Sequence, residues 1–180
     1  MGEDFPIDGV SVEAESVDVN GDGQADDVTI ISAGGAQTIV TDTDGDGLVD
    51  MVAHDDDGDG DAERVRYDLD GDGKLDTEVQ DTDNDGHADT MLVDTNADGL
   101  VDAVAIDHDG DGTIDAAVQD TDYDGRPDTV LIDSDHDGVT DITGRDIDQD
   151  GVVDEVHVDR DGDGTVDAVV EKGEPRDLRG

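Results

Sequence analysis

Aspartate recurs in this chain at a spacing that can do chemistry. A nine-residue unit, Asp-x-Asp/Asn-x-Asp-Gly-x-x-Asp/Glu, occurs eleven times. Counted from the first residue of each copy, position 1 is Asp18, Asp42, Asp55, Asp68, Asp81, Asp94, Asp107, Asp120, Asp133, Asp146 and Asp159. Position 3 is Asn20, Asp44, Asp57, Asp70, Asp83, Asn96, Asp109, Asp122, Asp135, Asp148 and Asp161. Position 5 is Asp22, Asp46, Asp59, Asp72, Asp85, Asp98, Asp111, Asp124, Asp137, Asp150 and Asp163. Position 9 is Asp26, Asp50, Glu63, Asp76, Asp89, Asp102, Asp115, Asp128, Asp141, Asp154 and Asp167. Glycine fills position 6 in every copy, from Gly23 and Gly47 to Gly164. Of the 55 acidic residues, 42 stand in the four acidic slots, so the charge is ordered along the chain and not scattered.

Carboxylates at this spacing suit a hard cation. Calcium takes about six to eight oxygen ligands in a flexible shell. Side chains at positions 1, 3 and 5 of a curled loop can point to one centre, and the acid at position 9 closes it. Position 7 would add its backbone carbonyl, which leaves its side chain free to vary. The residues there are Gln24, Leu48, Asp61, Lys74, His87, Leu100, Thr113, Arg126, Val139, Val152 and Thr165, a mixture that fits such a role. Glycine at position 6 permits the sharp turn. Eleven calcium sites are therefore expected. Magnesium should compete poorly, because it prefers a smaller octahedral shell and keeps its waters; lanthanides would fit the same cages.

Other chemistries find little support. The chain has no cysteine and four serines, so thiolate metal sites are excluded and a nucleophilic triad has little to stand on. The five histidines, His54, His87, His108, His136 and His157, occupy five different repeat positions and form no zinc-type cluster in sequence, so they are expected at the solvated surface. The Gly-Asp-Gly tripeptides precede neither a helix nor a phosphate-loop lysine. No stretch is long enough for a separate catalytic domain, and the expectation is a protein that is not an enzyme.

The elements that would position the loops are short. From Asp42 onward the register repeats every 13 residues, and the first copy is set apart by an 11-residue insertion. Only positions 10 to 13 separate successive loops. They are rich in strand formers, as in Thr90-Met91-Leu92-Val93 and Ala103-Val104-Ala105-Ile106. Position 11 is apolar in eight of ten in-register copies, with Glu78 and Thr143 the exceptions. Each module reads as a loop followed by one strand. The fold class expected is all-β, an elongated array (solenoid or meander) of 13-residue modules with little or no helix. Positions 8 and 11 are expected to form a thin apolar seam, weakest at Ile142-Thr143-Gly144-Arg145. A longer period of 39 residues also shows, since 79–99 and 118–138 agree at 13 of 21 positions. Residues 1–41 read as an N-terminal β cap holding the first loop and a hairpin turned by Gly34-Gly35; 42–171 are the ten tandem modules, and 172–180 a loose tail.

The unit reproduces the first half of an EF-hand loop but not its second. An EF-hand closes with an acid at position 12, where this chain has Ala53, Arg66, Val79, Leu92 and Ala105. Four residues between loops also leave no room for flanking helices. On its matching positions, such as Asp133, Asp135, Asp137 and Asp141, the loop resembles two known families. One is the calcium loop of the FG-GAP repeats of integrin α-chain propellers, which joins neighbouring strands. The other is the thrombospondin type 3 repeat, in which tandem loops wrap a row of calcium ions. The resemblance covers 18–26 and 42–167 and implies calcium ligation by these side chains, with Val139 giving its carbonyl. Thrombospondin repeats are pinned by disulfides and FG-GAP blades are several times longer, so the resemblance lies in the loop.

Composition sets the rest. The 180 residues carry a formal net charge of −46 with 2% aromatics, values that ordinarily go with disorder. Eleven calcium ions would cancel roughly half of that charge, so metal binding becomes folding free energy. The expectation is a loose metal-free chain and a stiff calcium form. Phosphate-rich partners, nucleic acid included, are repelled. No segment is apolar enough to insert in a membrane, and the first residues lack the pattern of a signal peptide. Calcium and a basic protein or cell-surface partner are the natural ligands, and the calcium chemistry favours an extracellular or cell-envelope setting. Two roles fit: a calcium-rigidified structural or adhesive spacer, and a calcium buffer or sensor. The closing acid at position 9, without hinged helices, favours the first.

Overall fold

Four residues of strand-forming sequence between nine-residue loops can do little but run out, turn and run back. The computed structural model describes residues 10–21, 23–172 and 174–177, and all of its regular structure is β. The chain divides into two units, Met1–Gly86 and His87–Gly180.

The first unit holds β1 (Val10–Val17), β2 (Asp26–Ala33), β3 (Ala36–Asp42), β4 (Met51–Asp55), β5 (Arg64–Tyr67) and β6 (Thr77–Gln80). Each pairs antiparallel with the next. The second unit holds β7 (Thr90–Val93), β8 (Ala103–Ile106), β9 (Ala116–Gln119), β10 (Thr129–Ile132), β11 (Ile142–Arg145), β12 (Glu155–Val158), β13 (Ala168–Glu171) and β14 (Glu174–Asp177), again antiparallel in chain order. Both are meanders, which resolves the expected array in favour of a meander over a solenoid. The hairpin between β2 and β3 turns on Gly34 and Gly35, at φ +66° and +108°, values that a two-residue turn needs and glycine supplies. Residues 174–177, expected in a loose tail, form β14 instead; residues 173 and 178–180 lie outside the described residues.

Register places position 11 of one strand opposite position 12 of the next. In the second unit this aligns Leu92, Val104, Val118, Val130, Gly144, Val156 and Val170 in one cross-strand row. In the first, Ile30, Ile39, Ala53, Val65 and Val79 do the same. Such pairs stabilise a sheet by about 0.2–1 kcal/mol each. Among the described residues each strand contacts only its neighbours in sequence.

The seam differs from expectation at position 8. Val49, Val101, Ile114, Val153 and Val166 are exposed, because the ladder begins at position 9. There the Asp102 and Asp115 N–H groups bond the carbonyls of Val93 and Ile106 at 2.8 and 2.9 Å. Position 8 is thus still loop, and the partly covered residues are those of the strands. Gly144, at the expected weak point, is buried; a Cβ there would lie 3.3 Å from Val153 Cγ1, so the valine overhangs the gap.

What is buried is mainly carboxylate. Only Val28, Ala53 and Ala168 are buried apolar residues among those described, against ten aspartates and three threonines. All ten aspartates stand at position 1 or 9 of a loop.

Candidate metal centre

Each loop that lies within one unit is the connection of a hairpin, and in all eleven the polypeptide wraps around the first aspartate. The N–H of the position 6 glycine donates to one carboxylate oxygen of position 1 in all eleven loops, at 2.7–3.2 Å. These glycines lie at φ between +78° and +104°, which L side chains rarely adopt. In seven loops the N–H of position 4 donates to the other oxygen at 2.6–2.9 Å. In nine loops the N–H of position 7 donates to Oδ1 of position 5 at 2.7–3.0 Å. A carboxylate oxygen has two lone pairs, so an oxygen held by one amide can still bind a cation.

The closing acid is tied as firmly. The N–H of position 2 donates to it in nine loops at 2.6–3.0 Å. A hydroxyl at position 2 adds a second donor: Thr43 to Asp50, Thr95 to Asp102, Thr121 to Asp128 and Ser134 to Asp141. These hydroxyls were not legible as part of the motif, although Thr82 and Thr121 stand out in the 39-residue period. The Thr43 hydroxyl and amide hold the Asp50 carboxyl below its ordinary range, and Ser134 does the same for Asp141. Burial raises Asp128, but the Thr129 and Thr121 donors outweigh it. Asp135 is pushed up by desolvation and by the charges of Asp137 and Asp141.

The side chains converge as the spacing requires. Carboxylate oxygens of Asp55, Asp57, Asp59 and Glu63 lie within 4.8 Å of one another, as do those of Asp42, Asp44 and Asp50, of Asp68, Asp70 and Asp76, and of Asp81, Asp83 and Asp85. The boundary between units falls inside that last loop, so His87 and Asp89 belong to the second unit. Several of these clusters can hold a metal ion, and the fit is more than proximity. Glu63 Oε1 is buried without a hydrogen-bond partner, and a desolvated anionic oxygen calls for a cation. Asp22 lies outside the described residues.

Position 4 was not singled out from sequence. Its backbone is left-handed in all eleven loops, with glycine in six and Asn84, Ala97, Tyr123, His136 and Gln149 in five, at φ +57° to +62°. Four of these side chains reach the loop two modules earlier, which a meander places at the same end of the strands. Asn84 Nδ2 donates to Asp57 (3.0 Å), Gln149 Nε2 donates to Asp122 (2.5 Å), and the Tyr123 hydroxyl lies 3.4 Å from that of Thr95. His136 Nδ1 lies 3.4 Å from Asp109 and 2.5 Å from Asp115. Nor are the other histidines all solvated: His54 bonds the Thr38 hydroxyl and His157 pairs with Glu155, both half-buried.

Fold and site together define an all-β, Asp-loop repeat protein with clusters able to hold metal. No family model, curated protein or solved structure matches the chain.

Proposed function

We propose that the chain is a calcium-binding repeat protein whose loops are completed by about eleven ions, and that it serves as a calcium-rigidified structural or adhesive spacer, without catalytic activity. The observation that carries this is the interior: ten buried aspartates where a globular domain would place apolar side chains. Buried charge without a counter-ion is costly, and calcium supplies the charge at a spacing its oxygen shell accepts. Of the two families that the loop resembles, the placement here, between adjacent strands, is nearer the FG-GAP loop.

Calorimetric titration of the metal-free chain, with circular dichroism in parallel, tests the reading. The expected result is close to eleven calcium equivalents, weak binding of magnesium, and loss of β signal in chelator. A chain with the same spectrum and the same thermal midpoint in calcium and in EDTA would remove the folding role. Affinity separates the two uses: near-millimolar binding suits a spacer, sub-micromolar switch-like binding a sensor, within a span of about 10⁻⁷ to 10⁻³ M.

A further inference from the structure

We infer that His136, Asp109 and Asp115 form a mixed nitrogen–oxygen site for a borderline transition ion of the Zn²⁺ or Co²⁺ class, distinct in metal preference from the all-oxygen loops.

The imidazole comes from position 4 of the loop begun by Asp133, a slot outside the ligand positions of its own loop. It leaves that loop intact and enters the one begun by Asp107. Nδ1 stands 2.5 Å from Asp115 Oδ1 and 3.4 Å from Asp109 Oδ2, and the three ligand atoms fall within 4.8 Å of one another. Asp115 is 7% exposed. Its Oδ2 is held by the His108 N–H at 2.7 Å, while its buried Oδ1 has no hydrogen-bond partner and is paired with the imidazole. The buried carboxylate oxygen and the ring nitrogen thus face each other as a close pair without hydrogen-bond geometry, and an outward shift of the imidazole by under about 1 Å would bring both to the spacing of ligands on one tetrahedral ion.

Imidazole changes the choice of metal. It suits zinc, cobalt, nickel and copper, whereas calcium and magnesium take oxygen. Asp109 and Asp115 also belong to the proposed calcium loop 107–115, so the two classes of ion compete there. Asparagine, tyrosine and glutamine at the equivalent slot reach toward a neighbouring loop too, but none of them brings a nitrogen ligand.

The test uses the full chain and Zn²⁺ alone as probe, with H136G and H136N as variants. Glycine occupies this slot in six loops and asparagine in another, so both variants retain an accepted backbone. Wild type in excess calcium should bind one zinc equivalent that both variants lose, with affinity reduced at least about tenfold. The side-chain ¹⁵N resonance of His136 Nδ1 should move on zinc addition, and the calcium stoichiometry of the variants should stay within one of wild type. Equal zinc binding by wild type and both variants, or an unmoved His136 resonance, would overturn the inference. Because zinc and calcium are read separately, failure of the calcium reading would leave this one standing, and the reverse also holds.

Discussion

The side-chain amide of Asn84 donates to the Asp57 carboxylate at 3.0 Å, joining two loops through residues 27 apart in sequence. Asn84 does so from φ +60°, a conformation that costs an L residue roughly 1–2 kcal/mol, though asparagine tolerates it better than most. The contact therefore offsets local strain.

Substitution at this slot should separate the two terms. N84A loses the hydrogen bond and keeps the strain, so a loss of about 1–2 kcal/mol is expected. N84G loses the bond but relieves the backbone, and should fall within about 0.5 kcal/mol of wild type. Ala97, at φ +57°, gives the converse case: A97G should stabilise by about 1 kcal/mol. Urea unfolding at constant calcium measures all three, and a destabilised A97G would refute the strain argument.

Glycines at the same slot are not equivalent. Gly45 and Gly58 share left-handed backbones, φ +76° and +79°. A Cβ at Gly45 meets nothing within 4 Å, whereas one at Gly58 would lie 2.2 Å from the Gly35 carbonyl oxygen. G45A should cost about 1 kcal/mol from φ alone. G58A must also displace the β2–β3 turn and should cost at least about 2–3 kcal/mol more. Thermal unfolding of the pair in the same buffer decides it, and equal midpoints would count against the packing of the turn on this loop.

Much of this was legible because the repeat is strict. Period, loop length and strand-forming content at positions 10–13 pointed to an all-β array of loop-and-strand modules, and the choice of a meander over a solenoid came from the strand pairing, which no local window contains. The acids at positions 1, 3, 5 and 9 were legible because side chains that converge on one centre leave their spacing in the sequence. Position 8 misled, because Val101 or Ile114 reads as core in a local window, although the ladder starts one residue later. His136 was hidden for another reason: its partners Asp109 and Asp115 are brought to it by pairing of strands, and a loop considered alone contains no trace of them. A histidine replacing glycine at a left-handed slot was the one local signal.

Acid should weaken the loops in a definite direction. Asp50, Asp141 and Asp154 have carboxyl values lowered by Thr43, Ser134 and Lys172 donors respectively. A group whose folded value is depressed contributes stability above its unfolded value, near 4, and that contribution is lost as pH falls through the folded value. Stability should therefore be level down to about pH 5 and decline below about pH 4. T43V removes the largest donor to Asp50 and keeps the backbone one. Its acid-unfolding midpoint in calcium should move to higher pH, and an unmoved midpoint would show that the hydroxyl is not coupled to folding.

Lys172 stands at position 1 of what would be a twelfth loop. Its N–H bonds the Asp154 carbonyl at 2.8 Å, as Asp159 bonds Asp141 one module earlier, so the backbone pattern continues while the charge reverses. Its ammonium lies 3.0 Å from Asp154 and 3.2 Å from Asp150, two of the acids proposed to hold calcium in the loop begun by Asp146. These contacts raise the lysine's own value further above its usual range, so it stays charged. The ammonium and a calcium ion would draw on the same carboxylates. K172Q should therefore strengthen binding at this one loop by no more than a few-fold, since the pair is exposed and screened by solvent. In chelator the same substitution should destabilise the chain slightly, because it removes a cation that the protein itself supplies. Calcium titration resolved by the amide resonance of Gly151 reads the site directly, and weaker binding in K172Q would mean that the lysine supports the metal and does not compete with it.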